Sequence, residues 1–140
     1  MRIVSMTMAM LLAFAADNLA VPAPRAEKET LQGIWELVEY DTGDGAKTDG
    51  PMIGRKWIFD KDQLTVQRPD VSTVTTFKID ETAKPKRIEW VARGSKVCKG
   101  IYLLDGDKLQ ICYGINETPD KLAAGAGISL FTYKRVQRAK

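Results

Sequence analysis

Two cysteines, Cys98 and Cys112, carry the most evident covalent chemistry in this 140-residue sequence. They are the only cysteines, one on each arm of a segment that reads as two alternating strands around an Asp-Gly turn. No Cys-x-x-Cys motif or neighbouring base accompanies them, so we do not expect a redox role. Their placement instead favours a structural disulfide across a hairpin, and the alternative is a pair of free thiols.

The hairpin at residues 97–113 must position the two thiols, and its turn admits two registers. One is a two-residue loop centred on Asp105-Gly106. The other is a three-residue loop in which Gly106 forms a left-handed bulge and Leu103 pairs with Asp107. We favour the three-residue loop because it gathers nearly all the apolar side chains of both arms on one face of the hairpin.

The favoured register places Cys98 directly opposite Cys112. The pair falls at a non-hydrogen-bonded site, where the Cα atoms are ~4.5 Å apart, and this separation permits a disulfide. Closing so short a loop is expected to stabilise the fold by roughly 3 kcal/mol on the chain-entropy account. We therefore predict a disulfide that staples the hairpin.

Three residues are candidates for ligand binding: Lys99, Trp57 and Trp90. The same register puts Lys99 on the apolar face of the hairpin, where a cation facing a cavity suits an anionic ligand. Trp57 and Trp90 stand at alternating positions that we predict to face the interior. The alternative for Lys99 is a strand-end lysine whose ammonium group reaches solvent.

The composition removes most catalytic and metal chemistry. The chain has no histidine, which excludes histidine-based triads and histidine metal ligation. The glycines between residues 43 and 50 lack the lysine and helix of a phosphate-binding loop. We interpret the acidic residues from Glu36 to Asp44 as solvated, and the spacing of residues 41–49 matches no EF-hand. We expect no catalytic residues, metal or cofactor.

The amino terminus has the pattern of an export signal. Arg2 precedes an apolar run from Ile3 to Ala16, and small residues suited to cleavage follow. The run is too short and too poorly flanked for a membrane anchor, and no cysteine follows it for lipid attachment. We predict a signal peptide over residues 1–20, an exposed leader over residues 21–30, and a periplasmic or extracellular location.

From Leu31 onward, strands alternate with turns, and no apolar stripe of helical period is long enough for a helix. The predicted strands are residues 31–40, 55–59, 63–68, 71–79, 87–92, the two arms of the hairpin, and 128–136. This pattern predicts an all-β fold, a small eight-stranded antiparallel up-and-down barrel over residues 31–136 with a basic tail at 137–140. We expect helical character around residues 120–124, in the loop at residues 116–127. The side chains predicted to face inward are Trp35, Leu37, Trp57, Phe59, Leu64, Val66, Phe77, Ile79, Ile88, Trp90, Ile101, Leu103, Leu109 and Ile111.

Four segments carry a family resemblance. Leu31-Gln32-Gly33-Ile34-Trp35 opens the first strand with the Gly-x-Trp pattern and resembles lipocalins. The later segments Lys84-Pro85-Lys86-Arg87-Ile88-Glu89, Gly100-Ile101-Tyr102 and Leu104-Asp105-Gly106-Asp107-Lys108-Leu109-Gln110-Ile111-Cys112 extend it. Together they resemble a lipocalin-like domain family of unknown function that is abundant in planctomycete bacteria, over the range from Leu31 to Arg135.

The resemblance implies a secreted or periplasmic calycin-type barrel without known catalytic residues. In lipocalins the tryptophan of the Gly-x-Trp pattern packs under an arginine near the end of the barrel, which assigns that contact here to Trp35 and Arg135. It gives Gly33 and Gly106 structural roles as well. The chain departs from the family in the loop after the seventh strand, where Thr118-Pro119 and Leu122 replace an Arg-Pro-aromatic pattern.

The function that these features favour is non-enzymatic binding of a small, partly apolar ligand by a monomeric exported barrel. The alternative is a protein-binding module, such as an inhibitor of an exported hydrolase, with contact surfaces in the loops at residues 41–51 and 116–127. A hydrolase that uses carboxylates ranks last because it has no motif. The net charge of +3 comes without a basic stripe, so we expect no nucleic-acid partner.

Overall fold

The computed structural model describes residues 26–92, 95–114 and 117–138. The predicted signal peptide, residues 21–25 of the predicted leader and the last two residues of the predicted tail lie outside the described residues. In the described part, no helix is both long and apolar enough to cross a membrane.

Within the described residues, a single sheet of nine strands follows one short helix, α1 (Glu27–Leu31). The strands are β1 (Gly33–Asp41), β2 (Ala46–Lys47), β3 (Lys56–Asp60), β4 (Gln63–Gln67), β5 (Ser72–Asp80), β6 (Arg87–Ala92), β7 (Lys96–Asp105), β8 (Lys108–Gly114) and β9 (Ile128–Arg138). From β3 onward each strand pairs antiparallel with the next, β1 pairs with both β3 and β9, and β2 is a two-residue extension at the edge of β1. The result is a closed eight-stranded up-and-down barrel of lipocalin-like architecture, and the predicted fold class is confirmed.

The barrel forms because its strands alternate apolar and polar residues, so that one face of each strand turns inward. The two-residue turn between β3 and β4 has Lys61 in the left-handed region, with a φ of 58°. Bulky side chains fill the half of the interior nearest α1, since β1, β3, β5 and β8 place aromatic or branched residues there. The most deeply buried inward-facing side chains of the strands are Trp35, Leu37, Phe59, Leu64, Phe77, Ile88, Tyr102, Leu109, Ile111 and Tyr133.

The helix α1 closes one end of the barrel. Leu31 is 1 % exposed and belongs to the core, and its carbonyl accepts a hydrogen bond of 2.8 Å from the Trp35 indole N–H. Glu27 accepts hydrogen bonds from the Tyr102 hydroxyl at 2.6 Å and from the Lys86 ammonium at 2.5 Å. Residues 27–30, predicted to be an exposed leader, therefore form a helix tied to the barrel wall.

Arg135 stacks on Trp35, as the resemblance to lipocalins implies. The Cζ of its guanidinium lies 4.2 Å from the centroid of the Trp35 ring. The same group donates to the carbonyls of Thr30 at 2.6 Å and Gln32 at 2.9 Å and to the Asp107 carboxylate at 2.9 Å. One side chain of β9 therefore joins the start of β1, the end of α1 and the turn between β7 and β8.

The predicted register of the hairpin is wrong. Asp105 pairs with Lys108, so the loop contains the two residues Gly106 and Asp107. Gly106 has a φ of +61° at the first central position, where primed hairpin turns require a positive φ and glycine is favoured. The pairing is shifted by three residues from the predicted register, and an odd shift moves every side chain to the opposite face.

The shift reverses the orientation of β7. Tyr102 and Gly100 face the interior, while Leu103 is 43 % exposed and Val97 49 % exposed. Ile101 is buried but lies outside the core cluster of the interior. The prediction that Ile101 and Leu103 face inward is therefore wrong.

The predicted disulfide between Cys98 and Cys112 is absent, and both are free thiols. Cys112 pairs with Ile101 and shares its outer face, while Cys98 packs against the interior core cluster. The two thiols therefore lie on opposite sides of the barrel wall. The Cys112 thiol donates to the Ala123 carbonyl at 3.6 Å.

The described part of the loop at residues 117–127 is irregular and lies over the outer face of β8. The helical character predicted for residues 120–124 is wrong, since that stretch holds only bends and irregular backbone, and an isolated bridge follows at Gly125. Pro119 is buried, and the Ala123 carbonyl reaches the Cys112 thiol. This cover explains how Cys112 is fully buried on an outward-facing position.

We expect the stability of the barrel to fall in acid through Glu27. Burial opposes ionisation of this carboxyl, but the hydrogen bonds from Lys86 and Tyr102 and the charge of Lys86 outweigh it and lower its pKa below the ordinary 4.5. Its contribution is fully present above that ordinary value and is lost as the pH falls through the lower pKa of the folded state.

Thermal melts of the wild type and of Glu27→Gln, between about pH 7 and about pH 3, measure this contribution. We expect the variant to lose about 1 kcal/mol at neutral pH and the difference to shrink in acid. Glu29→Gln is the control, because Glu29 is exposed on the same helix. A difference between wild type and Glu27→Gln that does not change with pH would contradict the role of Glu27.

Candidate functional site

The candidate site is a cavity inside the barrel, at the end opposite α1. Its volume is about 180 Å³. The direction of each strand decides which of its residues lie at this end. The strands β3, β5, β7 and β9 begin here, and β1, β4, β6 and β8 end here. The lining side chains are those of Leu37, Met52, Arg55, Trp57, Val66, Arg68, Thr73, Thr75, Trp90, Val91, Ala92, Cys98, Tyr113, Phe131 and Tyr133.

Five aromatic rings form a continuous wall of the cavity. Trp57 lies at its centre, with ring centroids 5.2 Å from Trp90 and 5.3 Å from Tyr133. Tyr113 continues the wall, 5.1 Å from Trp90 in an edge-on arrangement and 5.5 Å from Phe131 in a stacked one. Contacts of this kind stabilise each other beyond their burial. The wall therefore offers both ring faces and ring edges to anything inside.

Two arginines stand where the cavity opens. Arg55 precedes β3 and Arg68 follows β4, and both line the interior cavity and also an outer groove of about 610 Å³ beside it. The backbone of each is fixed: the Arg55 carbonyl accepts from the Leu37 N–H at 2.8 Å, and the Arg68 N–H donates to the Val71 carbonyl at 2.9 Å. The two guanidinium groups therefore mark the passage between groove and cavity.

The hydroxyl and thiol groups of the site are neutral at ordinary pH. Burial raises the pKa of Tyr133 well above its usual range, with Tyr113 adding to the rise and Arg55 opposing it. Burial likewise raises the pKa of Tyr113, with Cys98 adding and Arg68 opposing. Burial raises the pKa of the Cys98 thiol, and Lys96 opposes. These groups offer hydrogen bonds, and the only charges among the lining side chains are the positive ones of the arginines.

The structure brings together two of the three predicted ligand-binding residues. Trp57 and Trp90 lie side by side in the cavity wall. Lys99 does not join them, because it is exposed on the outer face of β7, opposite Glu89 of β6. The prediction that Lys99 faces the interior is wrong, for the same reason that the hairpin register is wrong.

The acidic side chains in the loop after β1 form hydrogen bonds with neighbouring groups of the same segment. Asp41 accepts hydrogen bonds from the N–H groups of Gly43 at 2.8 Å and Gly45 at 3.2 Å. Asp44 pairs with Lys47 at 2.7 Å, and this hydrogen bond lowers the pKa of Asp44. In residues 26–92, 95–114 and 117–138, no group of three or more His, Cys, Asp and Glu side chains is placed to hold a metal ion.

The sequence contained a signal for both arginines that the strand prediction did not use. Trp57 and Phe59 were predicted to face inward, and the same alternation carried back two residues reaches Arg55. Leu64 and Val66 were also predicted to face inward, and the next inward-facing position of the same alternation is Arg68. Charged residues that continue the inward-facing alternation at neighbouring ends of two adjacent strands indicate a polar opening of the barrel.

Comparison with models of known protein families, with curated proteins and with solved structures gave no match.

Proposed function

We propose that this chain is an exported, lipocalin-like binding protein that holds a small, partly apolar ligand inside its barrel. The observation that carries the proposal is the aromatic wall around a cavity of about 180 Å³ at the end of the barrel opposite α1. Binding sites of this type combine an apolar lining with a few polar groups that orient the ligand. Export and membership of the lipocalin-like family remain part of the proposal, resting on the sequence patterns.

The volume limits the size of the ligand. Sites for drug-sized molecules have volumes of ≈ 300–1,000 Å³, whereas a 150 Å³ apolar cavity is enough to hold benzene. The cavity therefore suits a molecule with about one ring, and a larger ligand would extend past the arginines into the outer groove.

Binding is favoured over catalysis and over a protein partner. The chain has no histidine, and burial keeps the Cys98 thiol protonated by raising its pKa. Among the described residues, the large hydrophobic side chains that are exposed are Val71, Val74, Val97, Leu103 and Val136. None of them belongs to the loops at residues 41–51 and 117–127, which the protein-binding alternative requires as apolar contact surfaces.

The three tryptophans of the chain provide the test. Trp57 and Trp90 line the cavity, while the Trp35 indole N–H is held by Leu31 at the closed end. Titration of the full chain with benzyl alcohol, followed by the ¹H–¹⁵N signals of the indoles, should shift the Trp57 and Trp90 signals and leave that of Trp35 nearly in place. Trp57→Phe and Trp90→Phe assign the signals. The proposal is wrong if all three signals stay in place, or move equally, up to about 20 mM of this probe and of benzoate, its carboxylate counterpart, since one-ring ligands are expected to bind such a site with Kd values on the order of 10 mM or below.

A further inference from the structure

We propose that the ligand of the cavity is an organic anion, a carboxylate carried on a single ring, whose charge is held by Arg55 and Arg68. This inference rests on the proposed function and specifies the ligand class. It starts from one atom: the Nε of Arg55 is buried and has no hydrogen-bond partner among the residues that the structure describes. Leaving a buried donor without a partner is energetically costly, so such an atom in a binding site indicates that an acceptor binds there.

The charge of the site indicates that this acceptor is anionic. The lining of the cavity contains two arginines and no aspartate or glutamate. Within the described part of the chain, neither Arg55 nor Arg68 forms an ion pair with a carboxylate, although five ion pairs form elsewhere. Asp70 lines the adjoining outer groove without pairing with either arginine. Two positive charges outside any ion pair at a partly desolvated opening favour a negative ligand.

The two arginine side chains indicate which chemical class of anion the site prefers. A guanidinium presents its N–H groups in a planar fork, which matches a carboxylate with two parallel hydrogen bonds. Thr73 and Thr75 of β5 add hydroxyls to the lining, and the Tyr113 and Tyr133 hydroxyls are neutral donors. A carboxylate at the arginines has several further donors within the same lining.

The remainder of the ligand must fit the aromatic wall behind the arginines. A flat ring packs edge-on against Trp57 and Trp90, as the neighbouring rings already do. The volume of about 180 Å³ accommodates one ring with one carboxylate and excludes a long acyl chain from the interior. Benzoate is the smallest probe with both features.

The test compares benzoate with benzyl alcohol, which has the same ring and no charge. Binding to the full chain is measured from the Trp57 and Trp90 indole signals, with Trp35 as the internal reference. We expect benzoate to bind with a Kd on the order of 0.1–1 mM and at least about tenfold more tightly than benzyl alcohol.

Arg55→Met keeps the length of the side chain and removes its charge. We expect it to weaken benzoate at least about tenfold while changing the affinity for benzyl alcohol by less than about threefold. Arg87→Met is the matched control, because Arg87 is exposed on the outer face of β6, and should leave both affinities unchanged. If Arg55→Met fails to fold, as shown by its circular dichroism, Arg68→Met serves in its place with the same expectation.

The outcomes separate the two proposals. If benzyl alcohol binds at the cavity tryptophans and benzoate binds no better, or if Arg55→Met and Arg68→Met leave the affinity for benzoate unchanged, the anion assignment is overturned and ligand binding stands. If phenyl phosphate binds more tightly than benzoate, the anion is not a carboxylate. If neither ring compound binds, the proposed function itself fails.

Discussion

Replacing Trp35 with alanine is expected to destabilise the barrel by about 4 kcal/mol and to lower the Tm by on the order of 15 °C. Trp35 is 0 % exposed, so its removal leaves a cavity in the packed half of the core. The change also removes the aromatic face under the Arg135 guanidinium and the indole donor to the Leu31 carbonyl. Equilibrium unfolding in urea and a thermal melt measure both quantities.

Three variants separate the sources of this effect. Trp35→Phe keeps an aromatic ring and loses the indole N–H, so its cost should be about 1–2 kcal/mol. Arg135→Gln removes the stacked cation and its bonds to Thr30 and Gln32, with an expected cost of about 2 kcal/mol. Val136→Ala is the control, since Val136 is 46 % exposed on the same strand. A Trp35→Ala variant that melts within about 2 °C of the wild type would contradict a closure role for this contact.

The second large effect is expected at Gly100, where β7 and β8 approach closely. A Cβ placed on Gly100 would lie 2.6 Å from the Cys112 carbonyl oxygen and 3.0 Å from the Tyr113 Cβ. The nearest of these atoms belongs to the backbone of a central strand, which cannot move without disturbing its ladder of hydrogen bonds. We expect Gly100→Ala to destabilise the fold by about 2 kcal/mol.

A matched glycine shows whether contact or chain flexibility causes the loss. A Cβ on Gly125 would meet no atom within 4 Å, and Gly125 is not among the glycines with a positive φ. Gly125→Ala should therefore be neutral or slightly stabilising, within about 0.5 kcal/mol. Urea unfolding of both variants decides the matter, because equal midpoints for Gly100→Ala and Gly125→Ala would refute the close approach as the cause.

Most of the barrel could be predicted because its strands carry a clean alternation. Trp57 and Phe59 in β3, and Ile88 and Trp90 in β6, have exposed or half-buried neighbours between them. Where one face is apolar and the other polar, only one orientation buries the apolar set, and the alternation alone identifies the inward side. Tight turns at strand ends then set the boundaries.

The same argument failed in the hairpin of β7 and β8 because each of its faces buries some apolar residues. Ile101 and Cys112 are fully buried on the outer face, where the loop after β8 reaches the Cys112 thiol through the Ala123 carbonyl. An apolar residue there no longer marks the interior. The inward tyrosine, Tyr102, was overlooked because it is amphipathic and its hydroxyl is satisfied by Glu27 of α1, a contact across 75 residues.

The cavity was only half predictable for a related reason. Trp57 and Trp90 followed from their alternation, but Arg55 and Arg68 were left out because a charged side chain ordinarily ends a buried stripe. Their proximity depends on the closure of the barrel, which brings the start of β3 and the end of β4 to one rim. The cavity volume of about 180 Å³ depends on how fifteen side chains pack together, and no local sequence pattern predicts it.

The helix α1 and the final residues of β9 lie at the same end of the barrel, since Gly33 pairs with both Phe59 and Arg138 just beyond the helix. The described chain therefore enters and leaves on the side facing away from the arginines. Attachment of the protein to a sensor chip, a bead or a fused domain through either of these ends would leave the opening of the cavity, at Arg55 and Arg68, facing the solution. The barrel is built so that tethering and access to its interior do not compete for the same surface.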